Sequence, residues 1–191
     1  MLAQTLIFLI ATVGDFFVMA LLLRFLLQWL RAPARNQLSQ FVAALTDFMV
    51  RPARRVIPGL WGFDLATLVL AWLVAALQQW LVLEIKGYEL GSAPGIALAV
   101  ITALAAIDIV RLVVYVVMIA VVLQAVLSWV NPQNVLAPLL TSVTRPFLRP
   151  FQKRVPPIAN FDLSPFFVLI ICQFLIAIPL VWLDATVRRL L

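Results

Sequence analysis

The chain has 191 residues, of which 65% are hydrophobic and 12% are charged. A soluble domain averages about half apolar and a quarter charged residues, so this composition excludes an ordinary soluble domain, and it excludes intrinsic disorder as well. The apolar excess predicts an integral membrane protein. The chain has no histidine and one cysteine, Cys172. It therefore lacks the commonest general base, imidazole ligands for haem or metal, and any internal disulfide.

Four long apolar runs alternate with polar segments along the chain. They cover residues 2–30, 65–83, 95–130 and 163–183. Each is close to or longer than the roughly 20 residues that a helix needs to cross a bilayer. The third run would be roughly 54 Å long as one helix, so we expect it to tilt, to protrude or to break near Asp108. Pro179 is expected to kink or end the fourth span.

The two halves of the chain are similar to each other. Trp29 matches Trp129, and residues 51–65 align without a gap on residues 149–163. Because a unit with two spans returns the chain to its starting side, the second copy must have the same orientation as the first. The repeats are therefore parallel, with a pseudo-two-fold axis along the membrane normal.

These features together predict an all-α integral membrane protein. Four transmembrane helices form two parallel two-span repeats, each with an amphipathic interfacial helix and a basic Pro-rich segment. The predicted units are a first repeat, a short extracytoplasmic connection and a second repeat, at residues 1–83, 84–94 and 95–191.

Each repeat has a basic segment between its two spans. Apolar residues at helical spacing predict an amphipathic helix in the headgroup plane, and a re-entrant or core-packed helix is the alternative. Arg-Pro and Val-Pro-Pro stretches are expected to end these helices and to form stiff connections. A cation near an anionic leaflet contributes about 1 kcal/mol of attraction. The candidate residues for binding lipid or a partner are Arg51, Arg54, Arg55, Arg145, Arg149, Lys153 and Arg154.

The same charges predict the topology. The positive-inside rule places both basic segments in the cytoplasm and both termini outside. The pair Arg188–Arg189 near the C-terminus is the one feature that opposes this orientation.

An aspartate precedes the second span of each repeat, at Asp64 and Asp162. The carboxylate is expected to cap the helix by accepting backbone N–H groups, to form a salt bridge to the basic cluster, or to do both. In the second repeat Ser164 is expected to act as the cap and Pro165 to take the first helical position.

Four charged residues lie within apolar runs, where a charge usually has a partner or faces water: Asp15, Arg24, Asp108 and Arg111. Asp108 and Arg111 are three residues apart and can pair on one helix face. The repeat alignment also allows an Asp15–Arg111 pair, and Arg24 can extend its head to the interface. Structural pairing is one reading of the set, and an ion or proton path is the other.

Two motifs carry a resemblance to a known family. "LSWVNP", which contains Trp129, Asn131 and Pro132, and "RPFQKRVPPIANFDLSP" (149–165) resemble the signature of the YggT family of small bacterial membrane proteins. The first repeat departs from it, with "QWLRAP" and no Ser-Pro after Asp64. The resemblance implies a polytopic membrane protein, and family members are associated with osmotic or ion homeostasis, cell division and nucleoid organisation, or cytochrome b assembly.

Two functions follow as expectations. The first is a non-catalytic scaffold or assembly factor that binds anionic lipid headgroups or a membrane-protein partner through its basic segments. The second is an oligomeric ion or solute transport component involved in osmotic homeostasis. An enzyme is disfavoured because no nucleophile–base pair, phosphate loop or metal-ligand spacing is visible, and no cofactor is expected. Nucleic-acid binding is disfavoured because the basic residues are confined to segments beside the spans.

Overall fold

The computed structural model describes residues 1–30, 37–57, 59, 64–91, 93–130, 136–154 and 162–190, with the backbone alone for Trp129. Within these ranges the regular structure is entirely helical. The helices are α1 (Leu2–Trp29), α2 (Gln37–Val56), α3 (Leu65–Ile85), α4 (Pro94–Val130), α5 (Ala137–Gln152), α6 (Ser164–Leu175) and α7 (Val181–Arg188). A π-helical turn, Ile176–Leu180, connects α6 to α7.

Four helical segments are long and apolar enough to cross a membrane. They are α1, α3, α4 and the continuous stretch from α6 through α7. Most of their surface is not buried within the protein, and large apolar side chains such as Phe8, Leu98 and Phe174 are exposed on it. Such a surface is stable in lipid and unstable in water, so the chain is a multi-pass membrane protein.

The third span is one uninterrupted helix of 37 residues. Of the three outcomes that its length allowed, a break near Asp108 therefore does not occur. In the fourth span, Pro179 lies within the π turn, so the α-helical pattern is interrupted there as expected. The missing N–H of proline removes one i to i−4 hydrogen bond, and a π turn accommodates this loss.

The short helices α2 and α5 lie at the same end of the bundle. Arg24, near the end of α1, contacts α2, and Leu27 on the next turn packs against Leu139 and Leu140 of α5. Because both connections lie at one end, the two repeats have the same orientation, as the duplicated sequence predicts. We call α2 and α5 together the platform.

The platform helices continue through their prolines, which corrects the expectation that Arg-Pro steps end them. Pro52 lies inside α2, and Pro146 and Pro150 lie inside α5. All three rings are on the exposed side of their helices. Each proline lacks the backbone N–H that would bond to the carbonyl four residues earlier. If that carbonyl is exposed, it can accept a hydrogen bond from water instead. The helix therefore continues and loses only one internal hydrogen bond per proline.

Helix α3 packs against both α1 and α4. Ala71 and Ala75 share a buried cluster with Val18 of α1 and Ala105 of α4. Small residues at i, i+4 let neighbouring backbones approach closely, which gives van der Waals contact in lipid. At the end of α3, Gly87 has φ +80°, a left-handed conformation that glycine adopts without steric cost and that turns the chain toward α4.

Candidate functional site

The platform presents most of its cations on its outer surface. Arg51 is 77% exposed at its side chain. The other exposed cations of the two helices and their ends are Arg54, Arg55, Arg145, Arg149, Lys153 and Arg154. The buried sides of the same helices are apolar or threonine-bearing, with Val42 and Val50 on α2 and Leu139 and Leu148 on α5. Each helix therefore has one side packed on the spans and its cations on the exposed side.

A charged contact joins α1 to the platform in the first repeat. Arg24 Nη1 donates to Thr46 Oγ1 at 2.7 Å and to Asp47 Oδ1 at 2.8 Å. Thr46 is fully buried and donates to the carbonyl of Val42 at 2.7 Å. Arg24 thus does not merely extend toward the interface, because its head forms an ion pair with the platform.

The second repeat has the same contact in an uncharged form. Gln124, which aligns with Arg24, is hydrogen-bonded to Thr144, which aligns with Thr46. Thr144 is also fully buried and within 2.8 Å of its own i−4 carbonyl, that of Leu140. In each repeat, therefore, one buried threonine forms a hydrogen bond with a polar side chain of that repeat's first span. This bond fixes the position of the platform helix.

A second contact joins each platform helix to the start of the following span. Asp64 accepts hydrogen bonds from the backbone N–H of Thr67 at 3.3 Å and from Arg54 Nε at 3.4 Å, and its other oxygen pairs with Arg54 Nη2. Capping and the salt bridge both occur at Asp64. Arg54 also donates to Gln28 Oε1 at 3.1 Å, so this cation is bound within the protein although its side chain is partly exposed.

In the second repeat the same contact lacks a cation. Asp162 accepts from Gln152 Nε2 at 2.8 Å and from the backbone N–H of Ser164 at 2.8 Å. Gln152 aligns with Arg54, so an amide replaces the guanidinium. Ser164 is the first residue of α6 and does not cap it; its own backbone N–H is accepted by the Asp162 carboxylate, two residues before it. Pro165 lies in the first turn as expected.

Three carboxyl groups in the platform and at its junctions with the following spans are more acidic than usual: Asp47, Asp64 and Asp162. A hydrogen bond from Arg24 lowers the pKa of Asp47 below its ordinary value, against the opposing effect of burial. Burial would raise the pKa of Asp64, but hydrogen bonds from Arg54 and Thr67 outweigh it, and the net shift is downward. Burial is likewise outweighed at Asp162, where hydrogen bonds from Ser164 and Gln152 lower the pKa. All three groups are therefore anionic at neutral pH.

A polar network lies inside the bundle, away from the platform. Arg111 donates to Asp108 at 3.0 Å, as its spacing predicts, and its other nitrogen lies 3.7 Å from Asp184 of α7. Arg188 Nε donates a hydrogen bond to Asp184 Oδ2 at 2.8 Å, and Arg188 Nη2 donates to Gln79 Oε1 at 3.4 Å. The amide nitrogen of Gln79 in turn donates to the Asp108 carboxylate. The network connects α3, α4 and α7.

The proposed cross-repeat pair between Asp15 and Arg111 is not formed. Asp15 instead accepts a hydrogen bond from Gln78 of α3 at 2.8 Å. The repeat alignment places Asp15 and Arg111 at similar depth, but α3 lies between α1 and α4 and supplies the nearer partner. Asp184 and Arg188 were not assigned to this network from the sequence. Their spacing could have predicted the pair, because opposite charges four residues apart on a helix commonly form an ion pair.

The remaining motif residues are only partly described. Trp29 is about half exposed at the end of α1, with its ring 6.2 Å from that of Phe25. Asn131 and Pro132 lie outside the described residues, as does the side chain of Trp129. The Val-Pro-Pro stretch of the second repeat also lies outside them.

Four apolar spans in two parallel units, with a short helix that bears cations at the same end of each unit, define a duplicated multi-pass membrane protein. The chain belongs to the CCB3/YggT family, whose model matches residues 3–85 and 103–183. The two matched segments correspond to the two repeats.

Curated relatives are similar over most of their length. An uncharacterized protein of Pseudomonas aeruginosa is 36% identical over 166 residues, which cover 86% of this chain and 82% of the relative. An uncharacterized protein of Vibrio alginolyticus is 31% identical over 170 residues, covering 87% and 89%. The uncharacterized YggT protein of Escherichia coli K12 is 26% identical over 169 residues, covering 88% and 85%. No solved structure matches the chain.

Proposed function

We propose that this protein is a non-catalytic scaffold or assembly factor of the bacterial cytoplasmic membrane. Its platform lies at the cytoplasmic surface, binds anionic lipid headgroups and holds the acidic surface of a membrane-protein partner. The observation that carries this proposal is the set of exposed cations on two amphipathic helices that are both fastened to the spans.

The exposed side of α2 has the composition of a helix in a membrane interface. Phe41 and Phe48 are 60% and 64% exposed, and Arg51 and Arg55 are exposed on the same helix. Exposed aromatic rings are stabilised when they enter the boundary between the headgroups and the acyl chains, while the cations stay among the headgroups. The combination supports an interfacial position for α2.

The contacts that fix the platform helices to the spans support a role as a preformed docking surface rather than as a flexible linker. Each helix has at least one polar contact to the preceding span and one to the residue at the start of the following span. A surface held in one conformation loses less conformational entropy when a partner binds to it.

The charge distribution supports the cytoplasmic placement of the platform. The opposing signal from Arg188 is weakened because this residue is paired with Asp184 inside the bundle. Lys86 and Arg189 then remain as the exposed cations at the opposite end among the described residues.

The direct test is neutralisation of the α5 cations. We expect the quadruple substitution Arg145→Gln, Arg149→Gln, Lys153→Gln and Arg154→Gln to reduce the anionic lipid that copurifies with the protein, measured by native mass spectrometry. Crosslinking in cells from position 141, an exposed site on α5 outside the substituted set, should capture a membrane-protein partner in the native chain and lose it in the variant.

The matched control neutralises Lys86 and Arg189, the exposed cations at the other end of the bundle. It should leave both lipid retention and partner capture unchanged. Equal loss in the control, or no loss in the quadruple variant, would refute the platform as the binding surface.

A second function, ion or proton transport by an oligomer, has one observation in its favour. Asp15 has no cation partner among the described residues, whereas Asp108 and Asp184 are paired with Arg111 and Arg188, so the bundle interior away from the platform holds three carboxylates against two guanidinium groups. Intramembrane acids in excess are typical of ion and proton paths. If it transports, liposomes with the native protein should show a cation or proton flux that Asp15→Asn abolishes while the fold persists.

A further inference from the structure

The surface of α6 carries one polar side chain where a membrane-spanning helix faces lipid. Gln173 lies nine residues into α6 and is exposed. At 1.5 Å per residue it is roughly 14 Å from the helix start, near the middle of a hydrocarbon layer about 30 Å thick. Among the described residues it makes no hydrogen bond, unlike Gln28, Gln78 and Gln124.

The first repeat shows what normally covers this position. Gln173 aligns with Ala75, which is 2% exposed and packs in the cluster that α3 forms with α4 and α1. The same side of α3 continues through Gln79, which bonds Asp108, to Leu83, which packs with Leu104 of α4. This side of α3 is therefore covered by the next span of the chain.

Among the residues that the structure describes, none of the spans covers the corresponding side of α6. It consists of Leu169, Gln173, Ala177 and Val181, of which Leu169 is half-buried and the others are exposed. We propose that this side of α6 is the contact surface for a second copy of the chain, in a symmetric dimer with Gln173 close to the two-fold axis.

The chemistry of the side chain selects a second copy as the occupant. A primary amide carries both a donor and an acceptor, so two Gln173 amides across a two-fold axis satisfy each other reciprocally. Both copies have the same orientation in the membrane, so α6 packs parallel to its counterpart and position 173 faces position 173. Ala177, one turn further, is small enough to let the two helices approach.

This dimer is independent of the proposed platform function, because its surface lies within the spans and contains no platform cation. Interhelical hydrogen bonds in membranes contribute enough to shift association by roughly 3- to 30-fold. The substitution Gln173→Leu replaces the amide by an apolar side chain of similar size. We therefore expect it to weaken dimerisation by this factor.

The experiment measures energy transfer between differently labelled copies in phosphatidylethanolamine–phosphatidylglycerol vesicles at increasing protein-to-lipid ratio. The native chain should associate saturably and Gln173→Leu more weakly. The control Ile171→Leu, on a different side of the same helix, should match the native chain. Circular dichroism and tryptophan emission establish that each variant is folded.

Cysteine crosslinking locates the contact without requiring a loss of stability. In a Cys172→Ala background, Gln173→Cys should form a disulfide-linked dimer in the membrane, whereas Ile171→Cys should not. A monomer at all ratios, dimerisation unaffected by Gln173→Leu, or a dimer with no crosslink at position 173 would each overturn the proposal.

Discussion

Individual polar residues, together with apolar packing, hold each platform helix against the spans. In both repeats a buried threonine binds a side chain from the first span, but the partner is a guanidinium at Arg24 and an amide at Gln124. The hydrogen bond to threonine is common to both repeats. The ion pair with Asp47 is an addition of the first repeat, because its aligned position in the second is Arg145.

Substitutions at position 24 separate these two contributions. Arg24→Gln reproduces the side chain of the second repeat, so Thr46 keeps a partner and only the ion pair with Asp47 is lost. Arg24→Leu removes both, and we expect a larger decrease in the free energy of unfolding, about 1–3 kcal/mol below the native protein. Unfolding in mixed detergent–denaturant micelles measures the order of stability. Equal stability of the two variants would contradict the role of Thr46.

Asp64 predicts a pH dependence with a defined sign. Its pKa is lowered in the folded protein, so the unfolded chain binds a proton at a higher pH, near its ordinary value of about 3.9. The stabilisation from this carboxylate is therefore complete above about pH 5, and it is lost as the pH falls through the lowered folded pKa.

The substitution Asp64→Asn tests that dependence. Asparagine still caps a helix, so the variant should lose the salt bridge to Arg54 and keep the cap for Thr67. We expect a lower melting temperature at neutral pH and a flatter decrease on acidification than in the native protein. Asp162→Asn is the matched comparison. It interrupts no ion pair and should lower the neutral-pH melting temperature less.

At the scale of helices, the contact between α1 and α3 depends on the absence of a side chain. A Cβ at Gly14 would collide with the Gln78 amide, which donates to Asp15. Alanine has the higher helix propensity, by about 1 kcal/mol, and would stabilise an isolated helix. In this bundle we expect Gly14→Ala to displace Gln78, leave Asp15 without its donor and lower the melting temperature.

Gly95 provides the control, because no atom lies within 4 Å of an added Cβ there. Gly95→Ala should leave the melting temperature unchanged or raise it slightly. If Gly14→Ala were as stable as Gly95→Ala, the Gln78–Asp15 hydrogen bond would have no part in packing α1 on α3.

The elements also show how far sequence patterns reach. Hydropathy predicts all four spans because their length and composition are set by the bilayer. Helix boundaries at Pro52 and Pro150 were misjudged because a proline rule weighs only the local hydrogen bond, whereas packing of the buried side of each helix compensates for its loss. The partner of Asp15 was misjudged because an alignment gives depth along a span but not the direction in which a side chain points.

Across the whole molecule, charge inside the bundle connects the two repeats. Gln79 belongs to the first repeat, and Asp108, Asp184 and Arg188 belong to the second. The duplicated sequence alone does not predict this connection, because none of these side chains has a chemically similar residue at the aligned position of the other repeat. The network is therefore a feature that distinguishes the repeats and fixes α7 against α3 and α4.

Charge balance in this network gives a test at the same scale. Arg188→Gln should leave Asp184 with only the longer contact to Arg111, and we expect the unfolding free energy to fall on the order of 1–3 kcal/mol. Adding Asp184→Asn removes the uncompensated carboxylate, so the double variant should be more stable than Arg188→Gln alone. A network that acts only through packing would make the two losses additive, and a double-mutant cycle on thermal unfolding separates the two cases. Arg189→Gln is the control. Arg189 is exposed and forms no ion pair with a carboxylate of the network, so this substitution should leave the melting temperature unchanged.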